Sequence, residues 1–180
     1  QGVHPYRQEY VMARTVEISI PATAFIPKAS AGAQFVAHTH GDVIRPALAF
    51  DTENDEYAFS VPFVMPASYA AGAVKADVYF YSASANSGTA AWTVLIEAVT
   101  ASTDTLDLEA SSSIPTGTLG THAMGGTAGD LRKLSITLSD TSKDSVAAGD
   151  QVRFGVSRTT ASDNVSGDLF IPFVVLYEGT

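Results

Sequence analysis

The chain has no cysteine among its 180 residues. Disulfide staples and thiolate metal sites are therefore excluded, and burial alone has to hold the fold. A chain of this length can bury a sufficient core as one domain. Long apolar runs are also missing. The longest, residues 169–177, is the size of a strand and too short to cross a membrane as a helix. The N-terminus carries no basic-then-apolar leader pattern. No stretch keeps a helical or heptad period, and no internal repeat is visible. Cations are scarce, with 10 Lys and Arg against 19 Asp and Glu, for a net charge of -9. Such a surface repels nucleic acid and anionic lipid, so neither is an expected partner.

Catalytic constellations are missing as well. There is no Gly-x-Ser-x-Gly elbow, no cysteine nucleophile and no glycine-rich phosphate loop before a helix. The four histidines have no serine and acid partners in a recognisable arrangement. The expectation is a protein that is not an enzyme and has no cofactor. Two sets of residues invite a metal reading. His38 and His40 are two apart and would share a face of a strand, with Asp42 nearby, but zinc needs a further ligand. Asp51, Glu53, Asp55 and Glu56 bring hard oxygen ligands that suit calcium, without the glycine turn of an EF-hand loop. A polar edge and a solvated turn account for these residues better, and no metal site is expected.

What the sequence has in quantity is period-two alternation. Val16, Ile18 and Ile20 alternate with Thr15, Glu17 and Ser19, and Leu134, Ile136 and Leu138 with Lys133, Ser135 and Thr137. Val74, Ala76, Val78 and Phe80 face away from Lys75, Asp77, Tyr79 and Tyr81, and Val152, Phe154 and Val156 away from Arg153 and Ser157. Tyr57, Phe59, Val61 and Phe63 alternate with Ala58, Ser60 and Pro62, which places the aromatics on the core side. Each run has one face for a core and one for solvent. Residues 91–99 and 169–177 are more continuously apolar and read as strands covered on both faces. Trp92 lies in the first of these and is expected in the core or at an interface rather than as a sugar-stacking platform. Residues 44–50 form another strand, with Pro46 near its start. Pro62 and Pro172 each remove a ladder donor and belong at an edge or a bulge. Residues 110–129 are rich in Ser, Thr and Gly and read as a long loop.

About eight strands with turn signals between them imply an all-β fold: a two-sheet antiparallel sandwich of jelly-roll type. An N-terminal extended arm over residues 1–31 would precede a sandwich domain over residues 32–180. Tyr6 and Tyr10 would anchor the arm on a neighbour. Tyr79 and Tyr81, both turned outward, form a second candidate contact surface, since tyrosine combines apolar area with a hydrogen-bonding tip.

Several stretches together resemble small tailed-phage virion proteins. They are Arg45-Pro46-Ala47-Leu48-Ala49-Phe50-Asp51 with Tyr57-Ala58-Phe59, and Val64-Met65-Pro66-Ala67-Ser68-Tyr69-Ala70-Ala71-Gly72 leading into the Val74 strand. Ser87-Gly88-Thr89-Ala90-Ala91-Trp92-Thr93-Val94, Asp144-Ser145-Val146-Ala147-Ala148-Gly149-Asp150-Gln151-Val152-Arg153-Phe154, and Gly167-Asp168-Leu169 before a last apolar strand complete the set. The likeness spans residues 44–178 and rests on turn and strand patterns. It implies a jelly-roll subunit on the outer surface of a virion, often a homotrimer, with the major capsid protein or other virion proteins as partners. Capsid decoration or cement is the expected function. The alternative is a receptor- or glycan-binding module of a tail or head fibre.

Overall fold

The computed structural model describes residues 16–40, 42–105, 108 and 114–179. Twelve strands make two six-stranded antiparallel sheets that pack face to face. They are β1 (Glu17–Pro21), β2 (Phe25–Pro27), β3 (Gln34–His40), β4 (Val43–Phe50), β5 (Tyr57–Ser60) and β6 (Phe63–Val64). The second half supplies β7 (Ala73–Ser82), β8 (Ser87–Val99), β9 (Thr118–Gly125), β10 (Arg132–Thr137), β11 (Gln151–Arg158) and β12 (Leu169–Gly179). Sheet A runs β10-β7-β12-β4-β3, with β1 also on β12. Sheet B runs β2-β5-β11-β8-β9, with β6 also on β11. Most connections pass from one sheet to the other, which is the jelly-roll arrangement expected from the alternation.

The core between the sheets follows parity. Val74, Ala76, Val78 and Phe80 of β7 meet Trp92, Val94 and Ile96 of β8 and Val152, Phe154 and Val156 of β11. Trp92 is fully buried, edge-on to Phe50 at 5.1 Å and to Phe80 at 5.5 Å. Such edge contacts let the positive ring edge meet the negative face of the next.

Both strand prolines mark breaks. Pro62 sits in the gap between β5 and β6. Pro172 lies inside a register shift of β12 between Phe170 and Phe173. An inserted residue reverses inside and outside. Leu169 and Ile171 point into the core before the bulge, and Val174 and Leu176 after it. Phe170 and Phe173 both end up on the outer face as a result.

At the same bulge β12 changes neighbour. Its residues 169–171 pair with β4, and its residues 173–177 pair with β1. β1 occupies the edge that residues 43–46 of β4 would otherwise take, and Pro46 has no N–H to lose there. The β3–β4 hairpin therefore projects beyond the sheet. Phe35, Val43 and Ile44 are 51%, 51% and 64% exposed on it.

Three expectations are corrected. The boundary at residues 31 and 32 is not observed. β1 and β2 are strands of the two sheets, and Val16, Ile20, Ala22 and Phe25 are core residues. Residues 1–15 of the expected arm lie outside the described residues. Within the expected loop over residues 110–129, residues 118–125 form β9 on β8. Its small residues permit close approach to β10: a Cβ on Gly120 would stand 2.6 Å from Ile136 Cγ1. Finally, β5 is turned over relative to its expected orientation. Ala58 and Ser60 are fully enclosed, and on the opposite face Tyr57 is half-buried and Phe59 is 8% exposed. The core behind β5 is already filled by Phe25 and Phe154, whose rings meet at 6.3 Å, and only a small residue fits there.

Candidate functional site

The reversal of β5 builds a groove across the outer face of sheet B. Tyr57 and Phe59 lie parallel, 6.5 Å apart and inclined by 9°. β2 supplies Ile26 and Pro27, and Lys28 just after it, on one side, and β8 supplies Thr93 and Leu95 on the other. Residues 114–117 pass over the sheet and close the groove as a wall. Two adjoining cavities of about 420 and about 460 Å³ result, sharing Lys28, Phe59 and Ile114. The floor is tight, because a Cβ on Gly155 would lie 2.8 Å from Phe59 Cε1 and 2.9 Å from Leu95 Cδ1.

Two cations sit over the rings. Lys28 Nζ is 5.2 Å from the Tyr57 ring centre, and the Arg153 guanidinium carbon is 5.7 Å from that of Phe59. Arg153 is held by Glu97, to which its Nε donates at 2.5 Å. Glu97 is almost wholly enclosed, so the pair is fixed in place. The groove thus offers one aromatic strip, an ammonium and a guanidinium, with Thr93 and Thr116 in its lining. These groups can bind a ligand that has both apolar faces and polar edges.

The outer face of sheet A carries the second aromatic set. Tyr79 stacks on Phe173 at 4.4 Å, and Tyr81 on Phe170 at 5.3 Å. His38 stands edge-on to Phe170 at 4.6 Å and to Tyr81 at 5.9 Å. Burial raises the Tyr81 phenol above its ordinary value, and Arg45 opposes that shift. Alongside, Asp77 is enclosed by Ser135, which donates to it at 2.5 Å, by Lys133 at 3.3 Å and by the Tyr177 hydroxyl at 3.2 Å. Both outward tyrosines expected from the sequence are on this face. Tyr6 and Tyr10 lie outside the described residues.

The metal-like patterns have other uses. His38 packs among aromatic rings, and His40 pairs with Val43 at the end of the hairpin, its side chain lying outside the described residues. Asp51 accepts from the Glu53 amide at 2.8 Å, and Glu56 from the Asp51 amide at 2.7 Å. Asp55 accepts from the Thr160 amide and hydroxyl at 2.7 and 2.8 Å. The acids thus tie turns to the sandwich. Glu56 is raised above the usual carboxylate range, first by burial and then by the nearby Asp51 and Asp168 charges. Among the described residues, no three histidines or carboxylates converge on a point where an ion would sit.

The alternation of β11 turned Arg153 outward but did not assign it to a site, and the sequence reading missed Lys28 and Ile114, which lie in connections with no pattern of their own. Tyr57 and Phe59 were visible as an alternating pair, but their side of the sheet was not.

No family model matches the chain, and neither does any curated protein. Among solved structures it is similar to the CBM36-1 domain of a multidomain xylanase from the hindgut metagenome of Trinervitermes trinervoides. That match has 13% identity and a TM-score of 0.51, and covers 92% of this chain and 99% of that domain. It is also similar to an α-L-arabinofuranosidase, at 14% identity and a TM-score of 0.50, covering 91% of this chain and 25% of that one. A third match is the C-terminal CBM6 of a laminarinase from Zobellia galactanivorans, at 14% identity and a TM-score of 0.49 over 91% and 100% of the two chains. The first of these shares the jelly-roll sandwich across its whole length.

Proposed function

We propose that the chain is a non-catalytic glycan-binding module that holds a polysaccharide in the groove on sheet B. The observation that carries the reading is the aromatic strip of Tyr57 and Phe59, walled by residues 114–117 and edged by Lys28, Thr93 and Thr116. A pyranose ring has an apolar face of C–H groups and a rim of hydroxyls. It can lie on an aromatic ring while its rim meets the flanking donors. The fold is one used by a module of a xylanase, which is in keeping with this reading. Affinity electrophoresis through gels containing xylan, laminarin or bacterial surface glycan tests it. Retarded migration on at least one polymer, reduced in Tyr57→Ala, is the expected result. Unretarded migration on every polymer tried would remove the reading.

A second reading is favoured by the projecting β3–β4 hairpin. Phe35, Val43 and Ile44 stand clear of the sandwich there, as an insertion into a neighbouring subunit requires. On this reading the chain is a virion structural subunit on the particle surface, bound to the major capsid protein. Mass spectrometry of purified particles, scaled to the capsid protein, decides it. A copy number comparable to the capsid protein supports decoration. A few copies per particle indicate a fibre part, and absence removes the virion reading.

A further inference from the structure

We infer that the sugar held in the groove carries a carboxylate, so that the ligand is a uronate-containing polysaccharide. The inference rests on the glycan-binding reading above and adds a charge to the ligand. The lining of the groove and the contact that covers its open ring carry it.

Two residues of the lining are charged, and both are cations, Lys28 and Arg153. In a chain with 19 acids and 10 bases, a groove lined by bases alone runs against the composition. Arg153 is already matched by the enclosed Glu97. Asp104, Asp144 and Asp150 gather just past Glu97, where they accept from Thr100 and Ala98. The Arg153 side is therefore not where an anion gains most. Lys28 is unmatched. Arg132, Lys133, Lys143, Arg153 and Arg158 each meet a carboxylate, whereas Lys28 is exposed and meets none among the described residues. Past Thr93 and Thr159, Asp55 is taken up by the Thr160 amide and hydroxyl. Asp107 and Glu109 precede the wall and lie outside the described residues.

Lys28 is also held in place. Its amide donates to Tyr57 O at 3.1 Å, and the Ala33 amide donates to the same oxygen at 3.2 Å. This continues the β2–β5 register and sets Lys28 opposite Tyr57, with Nζ 5.2 Å from the ring centre. Tyr57 is half-buried and Phe59 is almost covered, so the open ring of the strip is the one that Lys28 guards. A sugar that stacks on Tyr57 takes the ammonium's place on the ring. A neutral sugar thereby forfeits the cation–π attraction and returns only hydroxyls. A uronate gives its C–H face to the ring and its carboxylate, at the rim of the same sugar, to Nζ. Ring and cation are then both re-engaged, the latter through a charge-assisted hydrogen bond. The -9 of the whole chain is screened beyond about 8 Å at physiological salt, so the ammonium beside the sugar decides.

Isothermal titration calorimetry of the full chain tests the inference, with polygalacturonate, alginate and hyaluronan each set beside its carboxyl-reduced form. Reduction changes one group and leaves the C–H face. At least one uronate should bind about three- to tenfold more tightly than its reduced form, the share of one charge-assisted bond. Lys28→Met should bring that uronate to the affinity of its reduced form, and should not weaken the reduced form. Lys75→Met removes the same charge from the outer face of sheet A and should leave the preference intact. Equal or tighter binding of the reduced forms overturns the inference and leaves the glycan reading standing. So does retention of xylan or laminarin with no uronate bound. A preference that survives Lys28→Met, or falls as far in Lys75→Met, overturns it too, as does tighter binding of dextran sulfate than of any uronate. Failure to bind any of these polymers, charged or neutral, removes the glycan reading and the inference with it.

Discussion

Replacing Arg158 by methionine should remove more stability than any other single change at a polar residue described above. Arg158 is fully buried in the described structure. Its Nη1 donates to the carbonyls of Gly167 at 2.7 Å and Phe50 at 3.1 Å. Its Nη2 donates to Val165 O at 2.6 Å and to Asp163 Oδ1 at 2.7 Å. One side chain therefore ties the end of β4, the end of β11 and the turn before β12. Methionine fills similar volume but donates nothing. The Asp163 carboxylate would stay enclosed, retaining only the amides of Ala91 at 3.0 Å and Val165 at 2.9 Å. Stranding one member of a buried ion pair costs about 3–5 kcal/mol. The two retained amide donors favour the lower half of that range, and the three freed carbonyls raise it again by about 1 kcal/mol. About 4 kcal/mol is expected, which lowers the melting temperature of a domain this size by roughly 8–16 °C. Urea unfolding followed by fluorescence of the buried Trp92 measures it. Asp163→Asn added to Arg158→Met should recover part of the loss, since the stranded charge is then gone. A loss under about 1 kcal/mol, or a double variant that is simply additive, would refute the reasoning.

Tyr57→Ala should weaken glycan retention by about three- to tenfold, the share of a single aromatic contact, with melting little changed. For Glu56, whose folded value is raised, the folded state holds its proton to higher pH than the unfolded chain does. Its contribution is therefore fully present at acid pH and is lost as pH rises through the folded value. Glu56→Gln, which keeps an acceptor for the Asp51 amide, should melt higher than the parent at pH 7, and the gap should close toward pH 4. Gly120→Val forces β9 away from Ile136 and Leu134 and should cost about 1–3 kcal/mol, read by urea unfolding.

The alternation of β7, β10 and β11 was legible because each carries enough large apolar residues to declare one face, and β12 was legible as a strand from its continuous apolar run. Pro62 and Pro172 announced breaks correctly, because a missing N–H has few places to go. β9 was not legible. Its exposed and half-buried residues alternate, but Gly120, Thr121 and Ala123 carry too little apolar area to register. β5 failed for the opposite reason. Tyr57 and Phe59 are the larger residues of their run and so read as core, while the space available was set by Phe25 and Phe154 from distant positions. The groove depends on that same non-local competition. Its wall at residues 114–117 and its cation at Lys28 come from segments with no pattern of their own. The outward tyrosines of β7 were readable because Val78 and Phe80 fixed their parity.

The place of β12 bears on how the protein is made. It is the middle of sheet A, with β7 on one side and β4 and β1 on the other. β11 holds the same place in sheet B. The two strands that join the others are thus the last of the twelve described strands to be synthesised. Until residue 158 emerges, β2 can pair with β5, β3 with β4, β7 with β10 and β8 with β9, but nothing joins these pairs to one another. Until residue 179 emerges, β1 has no strand beside it and β7 has only β10. A nascent chain in that condition folds late and as a whole, and during synthesis it is a natural client for a chaperone that shields unpaired strands.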